Sequence, residues 1–264
     1  MAENKKSTEN QASENQQEIS NNEVISQTKK KNWRSYFKEF FMLFLAVFCG
    51  FLAENYREAL SNKKIEKDYI ISMIQDLQAD TSNLQGYIQI RKEKREMLDS
   101  LTILLTTDGH KHSGNATYYF ARHIFHGDPF VQTDGTILQL KNAGNLRFIK
   151  KGNVVSALLN YEKKVKELAE WDETDARMRT TFREIGGSIF RANDFYKTMG
   201  SSLSFVRPTD NPQLVTDDLV AINNVSFQVQ YLSTLTLGNF FRATAMKKEA
   251  ASLIELMKEE YNLE

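Results

Sequence analysis

The hydrophobic positions fall into one dense block and several spaced stripes. Residues 40–53 (FFMLFLAVFCGFLA) are thirteen apolar residues and one Gly, without a charge. Fourteen residues alone suit a buried helix or a signal-peptide core as well as a membrane span. The flanks decide for the span. Trp33, Tyr36 and Phe37 precede the block and Tyr56 follows it, the amphipathic aromatics that a bilayer interface favours. From Tyr36 to Tyr56 a helix would run about 31 Å at 1.5 Å per residue, close to the hydrocarbon thickness. Lys38 can reach back to the interface on its long stem. The pattern predicts a transmembrane helix over residues 33–56, contacting the lipid bilayer through residues 36–56.

Cleavage as a signal peptide fits less well, because a long leader precedes the block and no small-x-small site follows it. A lipoprotein signal would need a small residue where Phe48 precedes Cys49. Cys49 therefore reads as a small apolar residue of the span.

Beyond the block the spacing is helical. Ile70, Ile74, Leu77, Thr81, Leu84, Ile88, Arg91, Arg95, Leu98, Thr102 and Leu105 alternate in steps of four and three, a coiled-coil-like stripe within one helix over residues 55–106. Residues 91–97 (RKEKREM) read as its solvated face. Residues 106–115 read as a loop, and residues 116–125 as a short helix ended by Gly127, Asp128 and Pro129. Two helices follow. The first is capped by Thr133 or Asp134 and ended by a left-handed Gly144, and the second is capped by Asn153. Leu158, Tyr161, Val165, Leu168, Asp172, Asp175, Arg179, Phe182 and Ile189 repeat the stripe, with Gly186 and Gly187 marking a kink. Residues 198–218 are irregular around Pro208 and Pro212, and a last helix is expected from about residue 234 to 261. With no hairpin signal and no fixed-period repeat, the fold class is all-α: an N-terminal transmembrane helix continuous with an elongated helical bundle.

Composition adjusts this picture in three places. The 34 Lys+Arg and 34 Asp+Glu residues of the 264 give no net charge, which argues against nucleic acid as a partner. The one Cys excludes an internal disulfide framework and a Cys-based zinc cluster. Mean hydropathy is −0.48, an average over one apolar anchor and an otherwise soluble composition. Residues 1–32 are a polar leader rich in Asn, Gln, Glu and Ser, too poor in apolar residues to offset ordering entropy, and are expected to be disordered. Residues 57–264 form the bundle domain. Lys29, Lys30, Lys31, Arg34 and Lys38 are denser than Arg57, Lys63, Lys64 and Lys67 on the far side. The positive-inside rule then places the N-terminus in the cytoplasm and the C-terminal domain outside the inner (plasma) membrane.

Candidate chemistry is sparse. All four histidines, His110, His112, His123 and His126, fall in one window, where neutral imidazoles could chelate a transition metal. The plainer expectation is two solvated loop histidines and two partly buried helical ones, so no metal and no cofactor is assigned. Arg91 and Arg95 on the first stripe, and Asp172, Asp175 and Arg179 on the later one, would meet as a buried polar layer if the helices pack antiparallel; otherwise they reach water. Asp76 and Asp80 read as a solvated face. The phosphate-binding, dinucleotide, nucleophile-elbow and zinc-protease signatures are missing, and no catalytic residue is assigned.

The sequence resembles a family of uncharacterised single-pass bacterial membrane proteins, common in the Bacteroidota and known as a domain of unknown function. The likeness rests on Asp76, Leu77 and Asp80 in the first helix and on Leu140, Gly144, Asn145, Leu146 and Ile149 at the mid-chain turn. It covers most of residues 36–262, with a longer polar leader than is usual. It implies a membrane-anchored helical protein and brings no active site. The expected role is an interaction or scaffold module without enzymatic activity that binds a protein partner. The alternative is an extracytoplasmic domain that senses a small ligand or metal and acts through a partner.

Overall fold

The computed structural model describes residues 33–202 and 204–263. The leader over residues 1–32 lies outside the described residues. The elements are α1 (Trp33–Thr106), α2 (Gly109–His112), α3 (Gly114–Arg122), a 3-10 turn (His123–Phe125), α4 (Gly135–Asn142), a second 3-10 turn (Asn145–Phe148), α5 (Gly152–Gly186), α6 (Ala192–Tyr196) and α7 (Leu219–Tyr261). Among the described residues the only β feature is one bridge between Met199 and Phe205. The all-α expectation holds.

Two compact units divide the chain, the first ending at Ser61 and the second spanning Asn62–Glu264. In the first, α1 is apolar and exposed on all sides. Phe40, Met42, Leu43, Phe44, Val47 and Phe51 are each more than half exposed, and Phe37–Phe41, Phe40–Phe44 and Phe44–Phe48 stack at i,i+4. The helix is long and apolar enough to cross a membrane. The unit boundary falls a few residues beyond the 56/57 division read from the sequence, because inward-facing burial begins only at Glu66 and Ile70.

In the second unit, α1 pairs with α5 in a parallel sense. Tyr161 bonds Asp80, Arg91 bonds Asp172 and Lys94 bonds Asp175, each pair separated by 81 residues. The helices run parallel because the chain doubles back between them. Gly127 lies against Arg91, Thr133 bonds Asp80, Thr136 bonds Asp76 and Lys150 bonds Glu66. Residues 127–150 therefore form a strap descending along α1, and α5 sets off again from the Glu66 end. α7 runs antiparallel to both, with Ser233 on Asp99, Lys247 on Gln85 and Tyr261 on Glu66.

The core is in two parts. One joins Ile70, Met73, Leu77 and Leu84 of α1 to Leu158 and Leu168 of α5 and Met246, Leu253 and Met257 of α7. The other joins Leu98, Leu101 and Leu105 to Tyr118, Phe182, Phe190, Val225 and Leu232. Both follow the stripes read from the sequence.

Local signals account for most boundaries and fail at several: residues 106–115, read as a loop, hold α2 and the start of α3, and Gly186 ends α5 where a kink was expected. Gly144 adopts a left-handed conformation (φ 64°) just past α4, as its type allows. The expected side-chain cap at α4 is absent: Asp134 makes none, and the free amides of Thr133 and Thr136 are bonded by Asp80 and Asp76 of α1 instead. α5 begins at Gly152 with Lys151 at its cap position. Asn153 sits within the first turn and donates through Nδ2 to Glu260 Oε1 (2.6 Å). α7 begins at Leu219, well before residue 234, with the Asp218 carboxylate accepting from the Val220 and Ala221 amides. Residues 219–233 are uncharged and carry Val220, Ile222, Val225 and Val229, weak helix formers, which hid a helix whose inward stripe is Ile222, Val225, Val229 and Leu232.

Candidate functional site

The most constrained chemistry lies between the two core parts. There the stripes of α1 and α5 carry charge where apolar residues would continue the core. Arg91, Lys94, Asp175 and Asn239 are fully buried, and Asp172 and Tyr87 nearly so. Arg91 Nη2 donates to Asp172 Oδ1 (3.0 Å). Lys94 Nζ donates to both oxygens of Asp175 (3.1 and 3.3 Å). Arg179 Nε approaches Asp175 Oδ2 at 2.9 Å as a charge contact, not as an aligned hydrogen bond.

Asp172 is the hub of this layer. Its Oδ1 accepts from Tyr87 Oη (2.5 Å) and Asn239 Nδ2 (3.4 Å) as well as Arg91, and its Oδ2 accepts from the Phe130 amide (2.9 Å). Four segments of chain thus converge on one carboxylate. Burial raises the Tyr87 hydroxyl pKa, with the Asp172 charge acting in the same direction, so the phenol stays a donor. Arg91 stays charged: burial works against its cation, but Tyr87, Asp172 and Asp175 outweigh it. Its guanidinium lies 4.2 Å from the Tyr87 ring centroid. Its Nε and Nη1 have no hydrogen-bond partner.

The strap closes this layer from outside. Arg91 Nη2 donates to the Asp128 carbonyl (3.1 Å) and Arg179 Nη1 to the Gly127 carbonyl (3.2 Å). Gly127 has φ 95°, and a Cβ there would lie 2.3 Å from Arg91 Nη1 and 2.8 Å from Ile90 Cγ2. Both the conformation and the clearance call for glycine.

Of the five charges read from the stripes, four meet here and one does not. Arg95 points aside and bonds Asp99 (3.0 Å) at the surface. Lys94, read as part of a solvated face, takes its place inside. The antiparallel packing that would have brought the stripes together is replaced by a parallel one with the same outcome. Lys94 lies three residues from Arg91 and is thus on its face; the density of charge in residues 91–97 masked that signal.

Asp76 and Asp80 also depart from the solvated reading. Asp80 is 1% exposed and accepts from the Thr133 amide (2.7 Å) and Tyr161 Oη (2.7 Å). Burial raises its pKa despite these donors. The pair anchors the strap to α1.

The histidines are spent elsewhere. His110 Nδ1 lies 3.2 Å and 3.1 Å from the carbonyls of Leu104 and Thr107, and His123 Nδ1 lies 2.9 Å from that of Tyr119. In each ring Nδ1 is therefore the donor, since a carbonyl only accepts. His123 and His126 meet each other and Phe205 edge-on, and His112 is exposed. Among the described residues no three His, Cys, Asp or Glu side chains are grouped to hold a metal. Comparison with family models, with curated proteins and with solved structures finds no match.

Chemically the layer holds three cations, Arg91, Lys94 and Arg179, against two carboxylates, with Arg91 on Asp172 and both Lys94 and Arg179 on Asp175. Such a layer fixes the register of α1, α5 and α7, because a one-turn slip would leave charges buried alone. The surplus positive charge falls on Lys94, whose pKa burial lowers from 10.5 to about 8. The unfolded chain therefore holds more protons than the folded one between these values, and stability rises with pH across that window. The shift corresponds to about 3 kcal/mol in all. Tyr87, raised in the fold, opposes the trend above about pH 10. Denaturant unfolding followed by Trp171 fluorescence should therefore show stability increasing from pH 8 to 10, and Lys94→Met should flatten that increase.

Proposed function

We propose that the chain is a single-pass protein of the inner (plasma) membrane, with its N-terminus in the cytoplasm and a helical interaction module outside. The family it resembles agrees with that reading. The anchor is supported by the exposed apolar helix between Tyr36 and Tyr56, and the orientation by the denser Lys and Arg cluster before it. On this reading the module has no enzymatic activity, binds no nucleic acid and works through a protein partner.

The observation that carries the interaction role is the outward face of α7. Residues 219–241 contain no charged side chain. Val220, Phe227 and Phe241 are 60–68% exposed, and Tyr231 is 55% exposed. Phe227 and Tyr231 sit together, ring centroids 6.3 Å apart. The positions 220, 227, 231 and 241 fall on the a and d sites of one heptad frame, with Thr234 and Gly238 between them, as a seam for another helix requires. A solvated helix face normally carries charge, and aromatic residues dominate the energetics of protein interfaces.

Two measurements test this. The full chain should stay in the membrane pellet through a carbonate wash, with a C-terminal reporter active only outside the cytoplasm. Release by carbonate, or a reporter active in the cytoplasm, would refute the anchor or its direction. A photocrosslinking residue in place of Phe227 should give one discrete protein adduct in native membranes, lost with Tyr231→Glu. The same residue in place of exposed Lys166 should give none. No adduct from position 227 would sink the interaction role.

A further inference from the structure

At the end of the second unit away from Asn62, the C-terminus of α5, the turn into α6 and the 3-10 turn enclose a cleft of about 340 Å³, a size typical of small-molecule sites. Its walls are the rings of Phe125, Phe182, Phe190, Phe195 and Tyr196. Phe182 meets Phe125 edge-on at 5.9 Å; Phe182 and Phe190 (6.1 Å) and Phe190 and Phe195 (5.7 Å) are tilted to each other. Two charged side chains line it, Arg122 and Arg183, and no acid does.

These two cations differ from those of the buried layer. Arg91, Lys94 and Arg179 are matched to carboxylates. Arg122 donates through Nε to Thr198 Oγ1 (2.7 Å) and through Nη2 to the Phe195 carbonyl (2.6 Å), both neutral. Its guanidinium lies 4.0 Å from the Phe195 ring centroid. Burial alone lowers its pKa, with no carboxylate to offset the cost. Arg183 lies 5.6 Å from the Phe125 ring centroid and has no carboxylate partner among the described residues. Arg122 is thus a held, half-buried cation that lacks a counter-charge, and Arg183 is a second one at the rim.

We propose that this cleft is a binding site for a small aromatic carboxylate. Planar guanidinium groups pair with carboxylates in a two-bond fork. Walls of tilted and edge-on rings accept a flat apolar body. The two bonds and the ring stacking that hold Arg122 mean that little side-chain freedom is lost when a ligand arrives. Gly186 and Gly187 also line the cleft. A Cβ at Gly187 would meet no atom within 4 Å, and its backbone is right-handed helical (φ −63°), so the space above it is open without any demand for glycine. This site does not rest on the α7 face and stands or falls separately from it.

The test is calorimetric titration of 2-naphthoate into the full chain in lipid nanodiscs, with the heat of empty nanodiscs subtracted. Saturable one-site binding is expected. Arg183→Gln, at an exposed position without a structural bond, should weaken it at least about tenfold, since bonds to charged groups are worth about 1.5–3 kcal/mol. The uncharged 2-naphthalenemethanol should bind at least as much more weakly. Gly187→Trp sets an indole among the lining residues and should abolish binding, with circular dichroism confirming an unchanged helix content. No saturable heat with the wild type overturns the proposal. Equal affinity for the neutral analogue, or for Arg183→Gln, overturns the carboxylate recognition. Undiminished binding to a folded Gly187→Trp overturns the location.

Discussion

Asp172→Asn should destabilise the second unit by about 3–5 kcal/mol, the cost of stranding a buried charge when its partner is removed. The substitution keeps the shape of the side chain and removes only its charge. Arg91 would remain fully buried with two of its nitrogens already unpartnered. The new amide NH₂ can only donate, so at least one of the donors now meeting Asp172, from Tyr87, Asn239, Arg91 and the Phe130 amide, would face another donor. Unfolding in denaturant, followed by Trp171 fluorescence, measures the loss. Trp171 is a suitable reporter because its ring lies 3.6 Å from the Arg242 guanidinium and it precedes Asp172 in α5. The double variant Arg91→Met, Asp172→Leu should recover much of that stability, since replacing both members of a buried pair with apolar groups is often neutral or better. If Asp172→Asn alone is neutral, the layer does not hold the three helices in register.

Gly127→Ala should cost about 3 kcal/mol by two separable routes. A left-handed backbone penalises any Cβ by about 1–2 kcal/mol. The added methyl would also stand 2.3 Å from Arg91 Nη1, so either the strap must lift or the guanidinium must leave Asp172. In the background of Arg91→Met, whose flexible side chain can yield, the backbone part and the Ile90 contact should remain. The same unfolding measurement on the four proteins gives that difference directly, and equal costs in both backgrounds would show that Arg91 yields freely.

The sequence carried the stripes plainly because the core is built from 3.6-residue periodicity, and Ile70, Leu77, Leu84, Leu158, Leu168, Leu253 and Met257 are buried where that period puts them. The apolar block at residues 40–53 was equally plain. Charges on the stripes were visible, but whether they met depended on tertiary packing. The stripes left open whether the charges meet or reach water; they meet, in a parallel packing rather than the antiparallel one that the meeting was expected to need. Lys94 and Asp80 were misread for a shared reason: a charged side chain among other charges looks solvated until the element that covers it is known. For both, the cover is the strap or α5, whose course depends on contacts 53 to 81 residues away. The cleft between Arg122 and Arg183 left no sequence signal at all, since its walls come from three segments that no periodicity links.

The parallel pairing of α1 with α5 also sets a timetable for synthesis. Helical proteins dominated by near-neighbour contacts fold fastest, but the bonds that tie α1 to its partners span 81 to 195 residues. A ribosome adds about 5–20 residues per second. Some 155 residues separate the end of α1 at Thr106 from the end of α7 at Tyr261, so translation takes roughly 8–30 s to deliver the last partner. For that interval Ile70, Met73, Leu77 and Leu84 have no completed core to enter, and the nascent chain presents a sticky stripe to whatever holds it.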